Sequence, residues 1–420
     1  MPAVRDLRVL LRFRDFRRLL SVRLLSQGAD GVYQVALAAY VVFSPEKQAS
    51  AAAIASAMAV LLLPYSLVGP FAGVLLDRWR RRQVFVYGNL LRALLAAATA
   101  VLVAGRAPDW LFYASALCVT AVNRFVLAGL SAALPRVVDT ARLVVANSLS
   151  PTAGTLAATA GGGLALLVRL AVSDSDAPVV LLGAALYLCA SLASLSMAPG
   201  LLGPDPGHAL PHLGTALVGT ARELSAAVRH LAAPPRREAV WALAAMTLMR
   251  FCYGALLVML LMLCRYAFSS GPQEGLRLLG LALGVSGAGF FAAAVVTPAA
   301  AGRFGPGTWI SVCAGTAAVL EPALGLPFAT GPMLAAAFVL GLVTQGAKIA
   351  TDTIVQSAVD DGFRGRIFSV YDVLFNVAFV GAAGAAALVL PPDGRSTVLV
   401  VTIAVVYGAV AAAMARFERG

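Results

Sequence analysis

The stretch Gly69-Pro-Phe-Ala-Gly-Val-Leu-Leu-Asp-Arg-Trp-Arg-Arg-Arg-Gln83 decides how the rest of the chain is read. An apolar segment closes there on two small residues four apart, Gly69 and Gly73. One carboxylate, Asp77, follows, and then come four arginines within five residues: Arg78, Arg80, Arg81 and Arg82. Apolar sequence resumes at once with Val84-Phe-Val-Tyr87. A short, strongly basic turn between two hydrophobic spans reads as a cytoplasmic hairpin of a membrane protein.

Composition points the same way. The chain is 60% hydrophobic and 12% charged, against roughly 25% charged in soluble domains. No soluble protein of 420 residues hides that much apolar surface, whereas twelve spans of about 20 residues with short loops account for the length. The net charge of +12 is spread over many loops, and no basic run with interleaved aromatics appears outside the short turns. It therefore speaks for topology and anionic lipid headgroups, and not for nucleic acid. All but two of the 32 basic residues are arginine and alanine abounds, a bias that suggests a high-GC, bacterial genome. The five cysteines form no CxxC and read as packing residues. His208 and His212 lie four apart in a Pro/Gly-rich loop without cysteine or carboxylate clusters, so no metal site is expected.

In chain order the expected spans are 19–43, 51–76, 84–104, 110–134, 143–169 and 178–198, then 238–265, 278–300, 309–329, 331–356, 367–390 and 396–415. Six arginines precede the first span, which is too long for the apolar core of a signal peptide. With both termini inside, the cytoplasmic segments hold 21 of the basic residues and the outer loops six. A miscount by one span would scramble that asymmetry. The expected domains are 1–198, a six-helix bundle; 199–237, a cytoplasmic linker; and 238–420, a second six-helix bundle. Within the linker, Leu213, Leu217, Thr220, Leu224, Val228 and Leu231 share one side of a helix, while Arg222 and Arg229 face away. That pattern predicts an amphipathic helix on the inner membrane surface. Val138-Asp139-x-x-Arg142 before the fifth span is echoed by Val359-Asp360-x-x-x-Arg364 before the eleventh, as expected of duplicated halves.

The spacing Gly73-x3-Asp77-Arg78-x-x-Arg81-Arg82 resembles the signature between helices 2 and 3 of the major facilitator superfamily, with Arg80 where that family commonly has glycine. Three further stretches are similar to its efflux-type branch. They are Phe16 to Gly31, Leu134 to Asp139 with Ala146-Asn-Ser148, and Arg364 to Asp372 with Asn376. The resemblance covers the whole chain and implies an all-α secondary transporter of twelve transmembrane helices. Its two pseudo-symmetric bundles would rock about a central cavity lined by helices 1, 4 and 7. Arg124 with Gly129, and Gly154 with Gly161 to Gly163, are weaker echoes of antiporter elements; close helix packing explains the glycines equally. The resemblance also implies a gate, with Gly73, Asp77, Arg78, Arg81 and Arg82 closing on the start of helix 11 around Arg364.

Charges in mid-membrane each cost about 2.5–3.5 kcal/mol on insertion scales and need a partner, a cavity or a use. Asp30 lies near half-depth in span 1, with Gln27 and Gln34 one turn either side on the same face. Arg124 lies at a comparable depth in span 4. Burial favours a neutral acid and a nearby arginine favours the carboxylate, so small movements could switch Asp30 between them. Asp30 and Arg124 are the proton-coupling candidates; a static pair joining helices 1 and 4 is the alternative, and the sequence leaves it open. Gln27, Gln34, Tyr33, Arg250 and Asn376 are the substrate-cavity candidates, with Arg250 suited to an anionic group. Lys348 and Asp352, four apart, are expected to form a local ion pair. Glu321 precedes Pro322 and is expected near the outer surface.

The functional expectation is a secondary active transporter, a proton-coupled exporter of a small amphipathic compound, drug or secondary metabolite. It would be a monomer of the plasma membrane, with the proton gradient as its driving force, no cofactor, and substrate, protons and lipids as its partners. Lipid or lysolipid flipping, or proton-coupled import, is the alternative on the same fold. A membrane-embedded enzyme is disfavoured because no carboxylate or histidine cluster stands at helix ends or in long loops. An ATP-driven pump is disfavoured by the missing Gly-x4-Gly-Lys-Ser/Thr loop.

Overall fold

A computed structural model describes residues 10–43, 50–52, 54–56, 59, 71, 78–105, 107–139, 143–172, 177–203 and 213–418. The described residues contain helices and turns and no strand. The helices are α1 (Arg14–Phe43), α2 (Arg81–Ala104), α3 (Asp109–Ala133), α4 (Leu143–Val172), α5 (Ala177–Leu195) and α6 (Leu213–Leu231). They continue with α7 (Arg237–Met262), α8 (Pro272–Phe304), α9 (Pro306–Gly325), α10 (Thr330–Ala358), α11 (Asp361–Val389) and α12 (Thr397–Phe417). The expected second span falls mostly outside the described residues. Helices α2 to α5 therefore correspond to spans 3 to 6, α6 to the linker helix, and α7 to α12 to spans 7 to 12.

Nine helices among the described residues are long and apolar enough to cross a membrane. Helices α1, α6 and α9 are absent from that set. Gln27, Asp30 and Gln34 interrupt α1, while α9 carries Glu321 in an otherwise small and apolar helix. Helix α6 is amphipathic instead.

Several helices begin earlier than the apolar runs suggest. Helix α8 starts at Pro272, pre-set for a first turn, and the carboxylate of Glu274 accepts hydrogen bonds from Ser270 N (2.8 Å) and Ser270 Oγ (2.7 Å). That carboxylate, reaching back to Ser270, steadies the polar first turn before Leu279. Helix α7 runs on into a π-helical turn, Leu263–Ala267. At the link from α8 to α9, Gly305 has φ +87°, a conformation that disfavours any Cβ.

The chain forms two compact units. The first takes the described residues of Met1–Tyr40 and Leu67–Thr220; the second takes those of Val41–Ser66 and Ala221–Gly420.

In the first unit α2 packs against α3 and α5, and α4 against α5. Helices α1 and α4 meet backbone to backbone: a Cβ on Gly31 would collide with Ala158, and one on Gly161 with the Gly28 carbonyl. Gly154 leaves room for the Gln27 side chain. Close approach thus accounts for three of the small residues, as membrane packing requires. One end of the unit is closed by Phe16, Leu19, Phe85, Leu134, Met197 and Leu202 with their neighbours.

In the second unit α7 is apolar all round and packs against α10, α11 and α12, as a buried helix should. Helix α9 packs on α10 and α12, and α8 on α10. Gly289 and Gly341 let the backbones of α8 and α10 touch, and Gly254 brings α7 close to Phe379 of α11. On α6, Ala227 is buried and Leu224 and Leu231 half-buried, while Arg222 and Arg229 are exposed. Val228, expected on the apolar side, is 49% exposed.

Candidate functional site

The most polar interior lies in the first unit, around Arg92 of α2. Its guanidinium is fully buried (0% exposed), and Asp30 of α1 is 5% exposed. Arg92 Nη1 donates to Asp30 Oδ1 at 2.8 Å and to Asn123 Oδ1 of α3 at 2.8 Å. Arg92 Nη2 donates to Ser26 Oγ of α1 at 2.5 Å and to Asn89 Oδ1 one turn back on α2. Asn89 in turn donates from Nδ2 to the Phe85 carbonyl at 2.7 Å, which orients its amide. From α5, the Tyr187 hydroxyl donates to Asp30 Oδ1 at 2.7 Å, and the tyrosine ring lies 4.4 Å under the guanidinium. Four helices thus converge on one ion pair. Such a fork of charge-assisted bonds is what allows both charges to be buried at all.

A family model described as Major Facilitator Superfamily matches residues 19–385. The chain belongs to the major facilitator superfamily. Uncharacterized MFS-type transporters of Mycobacterium bovis and Mycobacterium tuberculosis are each 36% identical to it over 397 residues, covering 94% of this chain and 89% of the relative. Among solved structures, the nucleoside transporter NupG superposes with a TM-score of 0.67 at 15% identity, covering 96% of this chain and 98% of NupG. A peptide transporter POT in complex with sulfate gives a TM-score of 0.70 at 13% identity, covering 96% and 94%. At those identities the structural likeness speaks for the fold alone. As a superfamily member the chain is a membrane-embedded secondary transporter, of a family whose members are generally not enzymes.

Within this transporter the expected partner of Asp30 is corrected. Its cation is Arg92 of α2. From α3 the network takes Asn123, and Arg124, the next residue, is half-buried. Successive residues on a helix point about 100° apart, so equal depth did not decide which side chain enters. Gln27, Asp30 and Gln34 also separate: Asp30 is buried, Gln27 half-buried and Gln34 exposed. Tyr33 is buried, and its hydroxyl meets Thr99 Oγ1 of α2 at 3.3 Å; Thr99 meets Ser115 of α3 at 2.7 Å.

Of the gate residues, Gly73 and Asp77 lie outside the described residues, as does the side chain of Arg364. Arg78 is half-buried. Arg81 and Arg82 have structural employment inside the first unit. Arg81 Nη1 donates to the carbonyls of Ala132 (3.2 Å) and Leu202 (3.0 Å). Arg82 donates from Nη2 to Leu195 O at 3.1 Å and from Nε to Ser194 O at 3.4 Å. The two arginines therefore meet the orphan carbonyls at the ends of α3 and α5, where positive charge is favoured.

In the second unit Arg250 of α7 sits among aromatic faces. Its Cζ lies 4.1 Å from the Phe375 ring centroid, 4.2 Å from Phe379 and 5.0 Å from Tyr253. No carboxylate pairs with it among the described residues, and cation–π attraction holds it instead. Asn376, next to Phe375 on α11, is half-buried. Lys348 Nζ reaches Asp352 Oδ2 at 2.7 Å along α10. Glu321, one turn before the end of α9, is 5% exposed, because α9 is wedged against α10 and α12 there.

Tyr187 and Asn123 were not singled out from sequence. A tyrosine in an apolar helix carries no signal of its own. The alternation of polar Thr120 and Asn123 on one side of α3 is the trace that pointed inward.

Proposed function

We propose that this transporter is a proton-coupled exporter of the efflux-type branch, acting on a small amphipathic compound with an anionic group. The observation that carries the reading is the buried Asp30–Arg92 pair and its polar cage. A proton placed on Asp30 removes the charge that compensates Arg92. The guanidinium, still charged, then needs new partners, and rearrangement of the four helices supplies them. One titration at one atom thereby biases two arrangements of the bundle. Arg250, paired with no carboxylate among the described residues and floored by aromatic rings, is the natural seat for an anionic substrate group, with Asn376 beside it. The aromatic floor suits the apolar part of an amphipathic molecule.

The wider plan belongs to the same proposal: twelve spans in two six-helix bundles, both termini cytoplasmic, a single-chain transporter of a bacterial plasma membrane working by alternating access. The charge asymmetry of the loops supports it.

Uptake into everted vesicles, with and without a protonophore, tests the coupling. Wild type should lose accumulation when the gradient collapses, and Asp30→Asn should lose its response to an imposed pH gradient by tenfold or more. Undiminished response in Asp30→Asn refutes the coupling role and leaves a static pair. Accumulation that runs with the gradient in right-side-out vesicles instead would make the protein an importer.

A further inference from the structure

A second buried acid stands apart from the Arg92 network. Glu321 of α9 is 5% exposed, and its Oε1 has no hydrogen-bond partner. The side chain lines a small cavity of about 30 Å³ within the second unit. That cavity is walled mainly by alkyl groups, including Leu256 and Leu260 of α7, Leu283 of α8 and Leu340 of α10. Its other polar side chains are Ser286 of α8 and Tyr253 of α7. A carboxylate left ionised and unpaired in such surroundings is strongly disfavoured, so the site calls for one positive charge.

We propose that Glu321 and its cavity form a proton-binding site in the second unit, separate from Asp30. Size and lining single out the proton among monovalent charges. A water needs roughly 10–15 Å³ of such space, so the cavity takes a water or two and excludes an organic ammonium group. Hard metal cations are held by about six oxygens, and only Glu321, Ser286 and Tyr253 offer side-chain oxygen here. A hydronium entering the cavity passes its proton to the carboxylate and remains as neutral water; the reverse step returns it.

The groups facing Glu321 leave it free to respond. Tyr407 of α12 lies within electrostatic reach of Glu321, Tyr253, Cys252 and Arg250. Arg250 itself is turned to Phe375 and Phe379. Helices α8 and α10 present Ser286 and alkyl groups to the cavity, and nothing titratable. Among the described residues no ion pair holds Glu321 in one state.

The site is independent of the export reading, because it is measured on the resting protein. Infrared difference spectra of the full-length protein in liposomes, taken across a pH titration, should show a protonated-carboxyl C=O band. The component due to Glu321 should be missing in Glu321→Gln and retained in Asp30→Asn, which instead loses any component due to Asp30. Ser286→Ala, a milder change, should shift the band without removing it. The same band in wild type and Glu321→Gln overturns the proposal. So does a wild-type band that disappears on exchanging choline chloride for sodium chloride at constant pH, since that would make the ligand an alkali cation.

Discussion

Arg92 and Arg250 are both mid-helix arginines, one in each unit, the first fully buried and the second half-buried, and their surroundings are opposites. Arg92 gives its two terminal nitrogens to a carboxylate, two amide oxygens and a hydroxyl, with a tyrosine ring beneath, and only its Nε is left without a hydrogen bond. Arg250 meets three aromatic faces and no carboxylate among the described residues. The acids differ in the same sense. Asp30 is gripped by Arg92 and Tyr187, while Glu321 faces an apolar cavity with an unpartnered oxygen. A closed network resists opening until its charge balance changes. An open one is poised to accept a charge from outside. The first unit is thereby suited to switching and the second to receiving.

The largest effect expected is in the closed network. Arg92→Leu strands Asp30 in the interior, which should cost about 3–5 kcal/mol and sharply lower the thermal stability of the detergent-purified protein. Asp30→Asn in the same background should recover much of that loss, because no ion then remains. Absence of any loss in Arg92→Leu would break the contrast between the units.

Arg250→Leu should behave differently. Cation–π contacts of about 0.5–2 kcal/mol are lost, and the desolvation of an unpaired cation is relieved. Stability should therefore stay within about 1 kcal/mol of wild type. Transport of anionic substrates should nonetheless fall by tenfold or more, read from initial rates in vesicles. A large stability loss with normal transport would show Arg250 to be structural.

The smallest effect belongs to Glu321→Leu. Replacing a buried, unpartnered polar group by an apolar one of similar size is close to neutral or slightly stabilising. A melting temperature unchanged or raised by a few degrees is expected. Pronounced destabilisation would mean that the acid has a partner after all, and would bring the two units closer in kind.

Much of the fold was legible because apolar run length and basic turns are properties of the chain itself. The start of α2 after Arg80 and the amphipathic α6 follow from that reading. Partner choice was not legible. Asp30 stood out as a charge in an apolar span, but which arginine reaches it depends on the rotation of α2 and α3 about their axes. A one-residue difference, Asn123 against Arg124, was enough to misassign it. The burial of Glu321 was not legible for a related reason. Burial there is imposed by α10 and α12, which no local pattern in α9 announces. Where two helices touch through glycine, as at Gly31 and Gly161, the small residues were visible but not what they faced.

The arginines at the head of α2 join two tasks that are usually separate. Charge of the kind they carry biases which side of a membrane a turn keeps, and their donors fasten the finished ends of α3 and α5. Orientation and assembly thus share the same side chains. Lysine at either position would preserve sidedness, since a point charge suffices for it, yet would surrender the planar fork. A chain so altered would enter the bilayer the right way round and then be slow to close its first bundle.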